Sequence, residues 1–186
     1  NRIITLRHRR IMAVDDLRQD IESGRGPIGA GDFLERLCDR LVFRMGTIIT
    51  DIDDAVDALE DEVISEQSHE LRRKIADIRR AAISMRRYLA PQRDVMGRLY
   101  NEHVSWLDEM QRMRMREIAD RTIRYVEDLD SIRDRAAVTQ EELNNRLTEQ
   151  MNRTMYILSL VAGIFLPLGL LTGLLGINVG GIPGTE

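Results

Sequence analysis

Residues 154–185 carry no charged side chain, in a chain that is otherwise dense with charge. The stretch exceeds the ~20 apolar residues that a bilayer-spanning helix needs. Within it, residues 156–177 hold 13 Leu, Ile, Val or Phe out of 22. Each contributes about −0.3 to −0.6 kcal/mol to insertion, roughly −5 kcal/mol together before the polar residues are counted, which favours a membrane over the core of a soluble bundle. Upstream, residues 98–162 form a run of 65 without Gly or Pro. If helical throughout, such a run extends roughly 100 Å at 1.5 Å per residue. The two features together predict a water-soluble helical body feeding one membrane helix. Arg146 and Arg153 flank the near end of the span and only Glu186 the far end, so the positive-inside rule leaves the long body in the cytoplasm.

Composition narrows the function classes. A net charge of −4 gives no global drive toward nucleic acid. Aromatics at 4% and an abundance of Leu, Ile, Met and Arg suit helices better than a β-sandwich. The single cysteine, Cys38, excludes an internal disulfide framework and a Cys-rich zinc cage. There is no Ser-His-Asp set, P-loop or paired acid/base motif, so neither an enzyme nor a resident cofactor is expected. No signal peptide is visible at the N-terminal end.

Read along the chain, residues 3–7 are β-like, a short strand with both edges unpaired. Residues 13–22 have helical spacing and stop at Ser23-Gly24-Arg25-Gly26-Pro27. A second helix begins near Asp32, a good N-cap, and runs to about Ser65 on Leu34, Leu37, Leu41, Ile48, Ile52, Val56, Leu59 and Val63. Ser68 caps a third helix carrying Leu71, Ile75, Ile78, Ala82, Met85 and Leu89, which Pro91 kinks or restarts. A break follows near residues 101–106. One helix then continues from about Leu107 into the membrane.

Two stripes run along that last helix. Met155, Ser159, Ala162, Leu166, Gly169, Gly173 and Gly176 step by four and three, giving a narrow, mostly small face. Small faces let membrane helices approach closely, and Gly169 to Gly173 is a GxxxG. Carried backward from Asn152, the same stepping meets Asp120, Glu127, Asp134 and Glu141, with Leu129, Ile132, Ala136, Leu143 and Leu147 on other faces. The acidic stripe is either an ordinary solvated face or the wall of a wet axis that concentrates cations.

Several segments resemble the zinc-transporter (ZntB) branch of the CorA family. They are Met85-Arg86-Arg87-Tyr88-Leu89-Ala90-Pro91-Gln92-Arg93-Asp94-Val95, Val104-Ser105-Trp106, Glu117-Ile118-Ala119-Asp120-Arg121 and the closing Leu174-Leu175-Gly176-Ile177-Asn178-Val179-Gly180-Gly181-Ile182-Pro183-Gly184. The last is similar to the end of that family's first membrane helix, where the family signature is Gly-Met-Asn. The likeness covers essentially the whole chain. It implies a mainly α, CorA-like funnel: a long-helix cytoplasmic body and a stalk helix continuous with a transmembrane helix, plus the remnant strand of a truncated α/β domain. In those terms residues 1–30 are the C-terminal end of the cytoplasmic α/β domain, 31–106 a cytoplasmic helical hairpin and 107–153 the stalk helix. Residues 154–177 are the first transmembrane helix, and 178–186 hold the G-x-N motif and the start of an extracytoplasmic loop. A second membrane span is expected beyond Glu186.

The resemblance further implies a homopentamer in the inner membrane that moves divalent cations, Zn²⁺ foremost, with Mg²⁺ or Co²⁺ as the alternative and no nucleic-acid partner. Gly176, Ile177 and Asn178 would form the selectivity motif at the outer mouth, Asn178 binding the metal through its water shell. The family pattern matches Asn152, Met155, Leu158, Ala162, Leu166 and Gly169 to the pore wall. The helical stripe gives Ser159 in place of Leu158 and adds Gly173, a phase drift of one residue. Met155 and Leu166 are the candidate hydrophobic constrictions, and Asn152 a polar ring at the cytoplasmic end. Ile177 in place of Met and an uncharged, non-aromatic loop after Asn178 favour the zinc branch over the magnesium branch. A membrane-tethered helical scaffold with no pore is the reading from a different class.

Weaker signals are taken as structural. Asp51, Asp53, Asp54, Asp57, Glu60, Asp61 and Glu62 read as a solvated acidic face rather than a regulatory metal site. His69 and His103 read as surface residues, His8 as a poor cation site among arginines, and Trp106, Met110 and Met113 as packing at the helix break. Cys38 is a weak zinc-ligand candidate.

Overall fold

The computed structural model describes residues 3–65, 69–102 and 104–176. It contains α1 (Met12–Glu22), α2 (Ala30–Ser65), α3 (His69–Asn101) and α4 (Glu109–Leu174). Contacts divide the chain into two compact units, Asn1–Glu141 and Glu142–Glu186, so the 66-residue α4 belongs to both.

In the first unit a seven-residue step organises three helices. Val42, Ile49, Val56 and Val63 on α2 are buried, as are Ile75, Ala82, Leu89 and Met96 on α3 and Met115, Thr122, Leu129 and Ala136 on α4. A seven-residue repeat keeps one seam facing its partners, as in supercoiled helices. Two clusters result. One joins Ile49, Val56, Ala82, Leu89, Val126, Leu129 and Ile132; the other joins Val42, Met96, Leu107, Met115, Ile118 and Ala119. The buried hydroxyls are satisfied locally: Thr122 donates to the Ile118 carbonyl at 2.8 Å and Thr139 to that of Arg135 at 2.8 Å. The seam corrects the sequence register on α2, where Ile49 is buried and Ile48 is 49% exposed. The seven-step row Val42-Ile49-Val56-Val63 faces the other two helices, with Leu59 also buried and Ile52 packed against the core as expected.

Three further expectations change. Residues 3–7 are coil, not strand. A strand exists by pairing, and among the described residues no second strand offers an edge. Asp32 sits inside the first turn of α2 rather than capping it. Its carboxylate accepts from the Ile28 N–H at 2.9 Å and from Arg36 Nε at 2.7 Å. Pro91 does not break α3, which runs through it. A proline removes one donor. Here buried Leu89 and Met96 hold the chain on both sides, while Arg87, whose carbonyl loses its partner, is exposed to water. Ser68 lies outside the described residues.

The break before α4 is real and is closed by a capping box. Asp108 Oδ1 accepts from the Gln111 N–H at 2.8 Å, and Gln111 Oε1 accepts from the Asp108 N–H at 3.1 Å. Trp106, Met110 and Met113 do not pack there as expected, being 45%, 58% and 49% exposed. Leu107 fills that role instead, buried against Met115 and Ile118. Short α1 is tied to α2 by ion pairs, Arg44 Nη2 to Asp16 Oδ2 at 2.6 Å and Arg40 to Asp20.

In the second unit α4 is apolar from residue 154 on, and none of the described residues from 144 to 176 is buried. The hydroxyls turn back onto the helix, Thr154 to the Gln150 carbonyl at 3.0 Å and Thr172 to that of Leu168 at 3.0 Å. Gly176 follows the helix at φ +57°, the left-handed conformation that glycine adopts at helix C-termini.

Candidate functional site

The acidic stripe lies on the face of α4 that its own body leaves open. Asp120, Glu127, Asp134 and Glu141 are all exposed, as are the intervening Arg124, Ser131 and Val138. The core residues Thr122, Leu129 and Ala136 take the opposite side. Asp120 stands 4.0 Å from Arg116, and Asp134 takes Arg133 Nη2 at 2.8 Å. Glu127 and Glu141 have no ion-pair partner among the described residues. Beside the stripe, desolvation first, then Asp53 and Glu127, raises the Asp128 carboxyl above its ordinary value.

In the second unit Asn152, Met155, Leu158, Ser159, Leu166, Gly169 and Gly173 are exposed and Ala162 is half-buried. Met155 and Leu166 present 58% and 72% of their surface. α4 contains the one helix segment among the described residues that is long and apolar enough to cross a membrane. Pro167 lies inside it and removes the donor that would meet the Gly163 carbonyl. Of the signature residues, Gly176 is placed as above; Ile177 and Asn178 lie outside the described residues, as does His103.

The acidic run on α2 is only in part a solvated face. Arg135 of α4 reaches three of its carboxylates, Glu60 (Nε to Oε1, 3.0 Å; Nη2 to Oε2, 2.8 Å), Asp53 (Nη1 to Oδ1, 2.9 Å) and Asp57. Hydrogen bonds to Glu60 and Asp57 hold the guanidinium well above its usual range. The spacing of residues 53, 57 and 60 along one face was the available signal, but nothing in α2 alone names the partner. Glu62 pairs with Lys74 Nζ at 3.1 Å. Among the described residues no group of three or more His, Cys, Asp or Glu is placed to hold a metal ion. Cys38 is half-buried beside the second core cluster, and burial, then Asp39, pushes its thiol up to about 11. A thiol so hard to ionise is a poor zinc ligand.

Three comparisons with known proteins bear on these faces. The family of CorA-like Mg²⁺ transporter proteins matches residues 1–186. The zinc transport protein ZntB of Yersinia enterocolitica is 42% identical over 182 residues, which cover 98% of this chain and 55% of ZntB. The divalent cation transporter CmaX of Pseudomonas aeruginosa is 44% identical over 190 residues, covering 100% of this chain and 56% of CmaX. A structure of full-length CmaX superposes with a TM-score of 0.84 at 41% identity, over 96% of this chain and 55% of that one. The CorA magnesium transporter of Methanocaldococcus jannaschii shares the fold, with a TM-score of 0.78 at 21% identity over 94% of this chain and 56% of that one. The chain thus spans about half the length of the relatives it matches. A family match from end to end, two relatives above 40% identity and a shared long-helix fold lead to one conclusion: the chain belongs to the CorA family.

Proposed function

We propose that this chain supplies the stalk and first membrane span of a homopentameric divalent-cation transporter, with its body in the cytoplasm and α4 crossing the inner membrane. The observation that carries this reading is the exposed face of α4, acidic at Asp120, Glu127, Asp134 and Glu141 and continued at the same helical step by Asn152, Met155 and Leu166. Five such helices around an axis would line a path whose acidic part gathers cations and whose Met155 and Leu166 rings narrow it. Asn152 would ring the cytoplasmic end. Beyond Gly176, Ile177 and Asn178 would set the outer filter, Asn178 oxygens holding a cation through its water shell. Such contacts suit ions that give up water reluctantly.

Zinc is the cargo we favour. ZntB is named for zinc and CmaX only for divalent cations, and the two are of similar identity to this chain. Magnesium or cobalt is therefore the reading that competes with zinc. The test is uptake of Zn²⁺ and of Mg²⁺ into liposomes carrying the full-length protein. Zn²⁺ uptake exceeding Mg²⁺ uptake supports the proposal; the reverse order replaces zinc, and no uptake of either sinks transport. Asn178→Ala should lower uptake tenfold or more, on the order of 1–2 kcal/mol, with the oligomer intact. Unchanged uptake removes Asn178 from the filter.

A further inference from the structure

We propose that the acidic outer face of α2 and the basic outer face of α3 meet between copies of this chain, each copy docking its α2 against the α3 of the next. The inference rests on the homo-oligomer in the proposed function and adds which surfaces join. Asp51, Asp54 and Asp61 are exposed on α2, away from the buried row of Val42, Ile49, Val56 and Val63. None has an ion-pair partner among the described residues. On α3, Arg73, Arg80 and Arg87 step by seven on the side opposite buried Ile75, Ala82 and Leu89. Arg73 meets no carboxylate among the described residues. Arg80 holds only Asp77 of its own helix, and Arg87 lies over the Tyr88 ring at 5.3 Å.

These rows cannot neutralise each other within one chain, because α2 and α3 meet along another side, where Lys74 Nζ reaches Glu62 at 3.1 Å. That pair also sets the relative height of the two antiparallel helices. Counting away from it at equal rise, Asp61 lies level with residue 75, Asp54 with 82 and Asp51 with 85. The three acids thus stand within about one helical turn of Arg73, Arg80 and Arg87. A rotation about an axis along the helices leaves heights unchanged, so one copy's acids arrive level with the next copy's arginines. Acid on one helix and base on another is a head-to-tail complementarity, the kind that repeats and closes into a ring. A second copy suits both faces at once. An anionic bilayer would attract α3 and be repelled by the three aspartates at the same height. Exposed pairs of this sort are individually weak and salt-screened, so their part is to choose the partner face and register.

The test uses the full-length protein in detergent, with mass measured by light scattering across a dilution series at about 0.05 M and about 0.5 M salt. Asp51→Arg with Asp54→Arg, and separately Arg80→Glu with Arg87→Glu, should each raise the concentration at which the oligomer dissociates about tenfold at low salt. Combining the four changes should bring it back most of the way. A wild-type oligomer that neither reversal disturbs, or that the combination does not restore, overturns the proposal and leaves transport standing. A wild-type protein that is monomeric throughout overturns both. Arginine variants that lose binding to anionic vesicles while the oligomer is unchanged assign α3 to the membrane instead. Should a reversal lower the helical circular dichroism, co-expressed Asp54→Cys and Arg80→Cys chains in a Cys38→Ala background replace it. A short bis-maleimide should then link the two kinds of chain to each other; links only between like chains, or none, overturn the proposal.

Discussion

At the scale of single residues, the first unit depends on one close approach and one half-buried carboxylate. A Cβ added at Gly46 would stand 2.1 Å from Tyr125 Oη and 2.7 Å from Cζ, so the Tyr125 ring of α4 seats on α2 only because position 46 has no side chain. Gly46→Ala should therefore destabilise despite alanine's better helix propensity. A loss of about 1–3 kcal/mol is the usual result of overpacking. Tyr125→Phe in the same chain should recover part of it, because the phenolic oxygen is the nearest obstacle, and chemical denaturation of the four variants of the cycle checks this. Asp32 is the carboxylate. Burial, the largest single influence, raises it, but the Ile28 N–H and Arg36 together outweigh burial and hold it below its ordinary value. A carboxyl lowered in the folded state adds stability above its unfolded value of about 3.9 and loses it as pH falls through the lower folded one. Asp32→Asn should thus cost up to about 1 kcal/mol near neutrality through its weakened pairing with Arg36 and little once acid has protonated the carboxyl. Thermal melts from pH 7 downward should show the two proteins converging; a constant gap would remove Asp32 from the acid response.

Helices carry the next level, and α4 is fastened to α2 by the Arg135 clamp as well as by the core. Arg135 neutralises Glu60, Asp53 and Asp57, which would otherwise repel one another along one face. Its side chain is 32% exposed, so each pair is modest and screened. Arg135→Ala should cost about 1 kcal/mol, and the loss should shrink in high salt, as a denaturant series at two ionic strengths would show. A change in stability independent of salt would mean that Arg135 acts by packing instead. This clamp also marks where sequence reading stopped. The long helix was legible, because 65 residues without Gly or Pro admit little else, and its exposed stripe was legible from helical phase alone. The partners of the α2 carboxylates were not, since which helix faces them depends on tertiary packing. Residues 3–7 erred the other way: β-branched residues favour a strand, but the favour is realised only against a neighbouring strand. Pro91 showed the same override, the heptad packing of Leu89 and Met96 outweighing one lost donor.

For the molecule as a whole, the charge pattern decides more than the total. A net charge of −4 is unremarkable, yet Asp120, Glu127, Asp134 and Glu141 stand on one exposed line. If copies of α4 surround an axis, each acid becomes a ring, and rings of like charge inside low-dielectric walls raise the local cation concentration. An ordinary solvated face would leave transport indifferent to these residues. The two readings separate on salt. Asp120→Asn, Glu127→Gln, Asp134→Asn and Glu141→Gln together should lower divalent-cation uptake into liposomes several-fold at about 0.01 M salt, where the screening length is about 30 Å. The deficit should fade toward about 1 M, where screening acts over about 3 Å. The variant should keep the wild-type oligomer, since none of the four side chains is buried in the core. Equal uptake at low salt would return the stripe to an ordinary wet surface. A deficit that persisted at high salt would point instead to direct contact between one of these carboxylates and the passing ion.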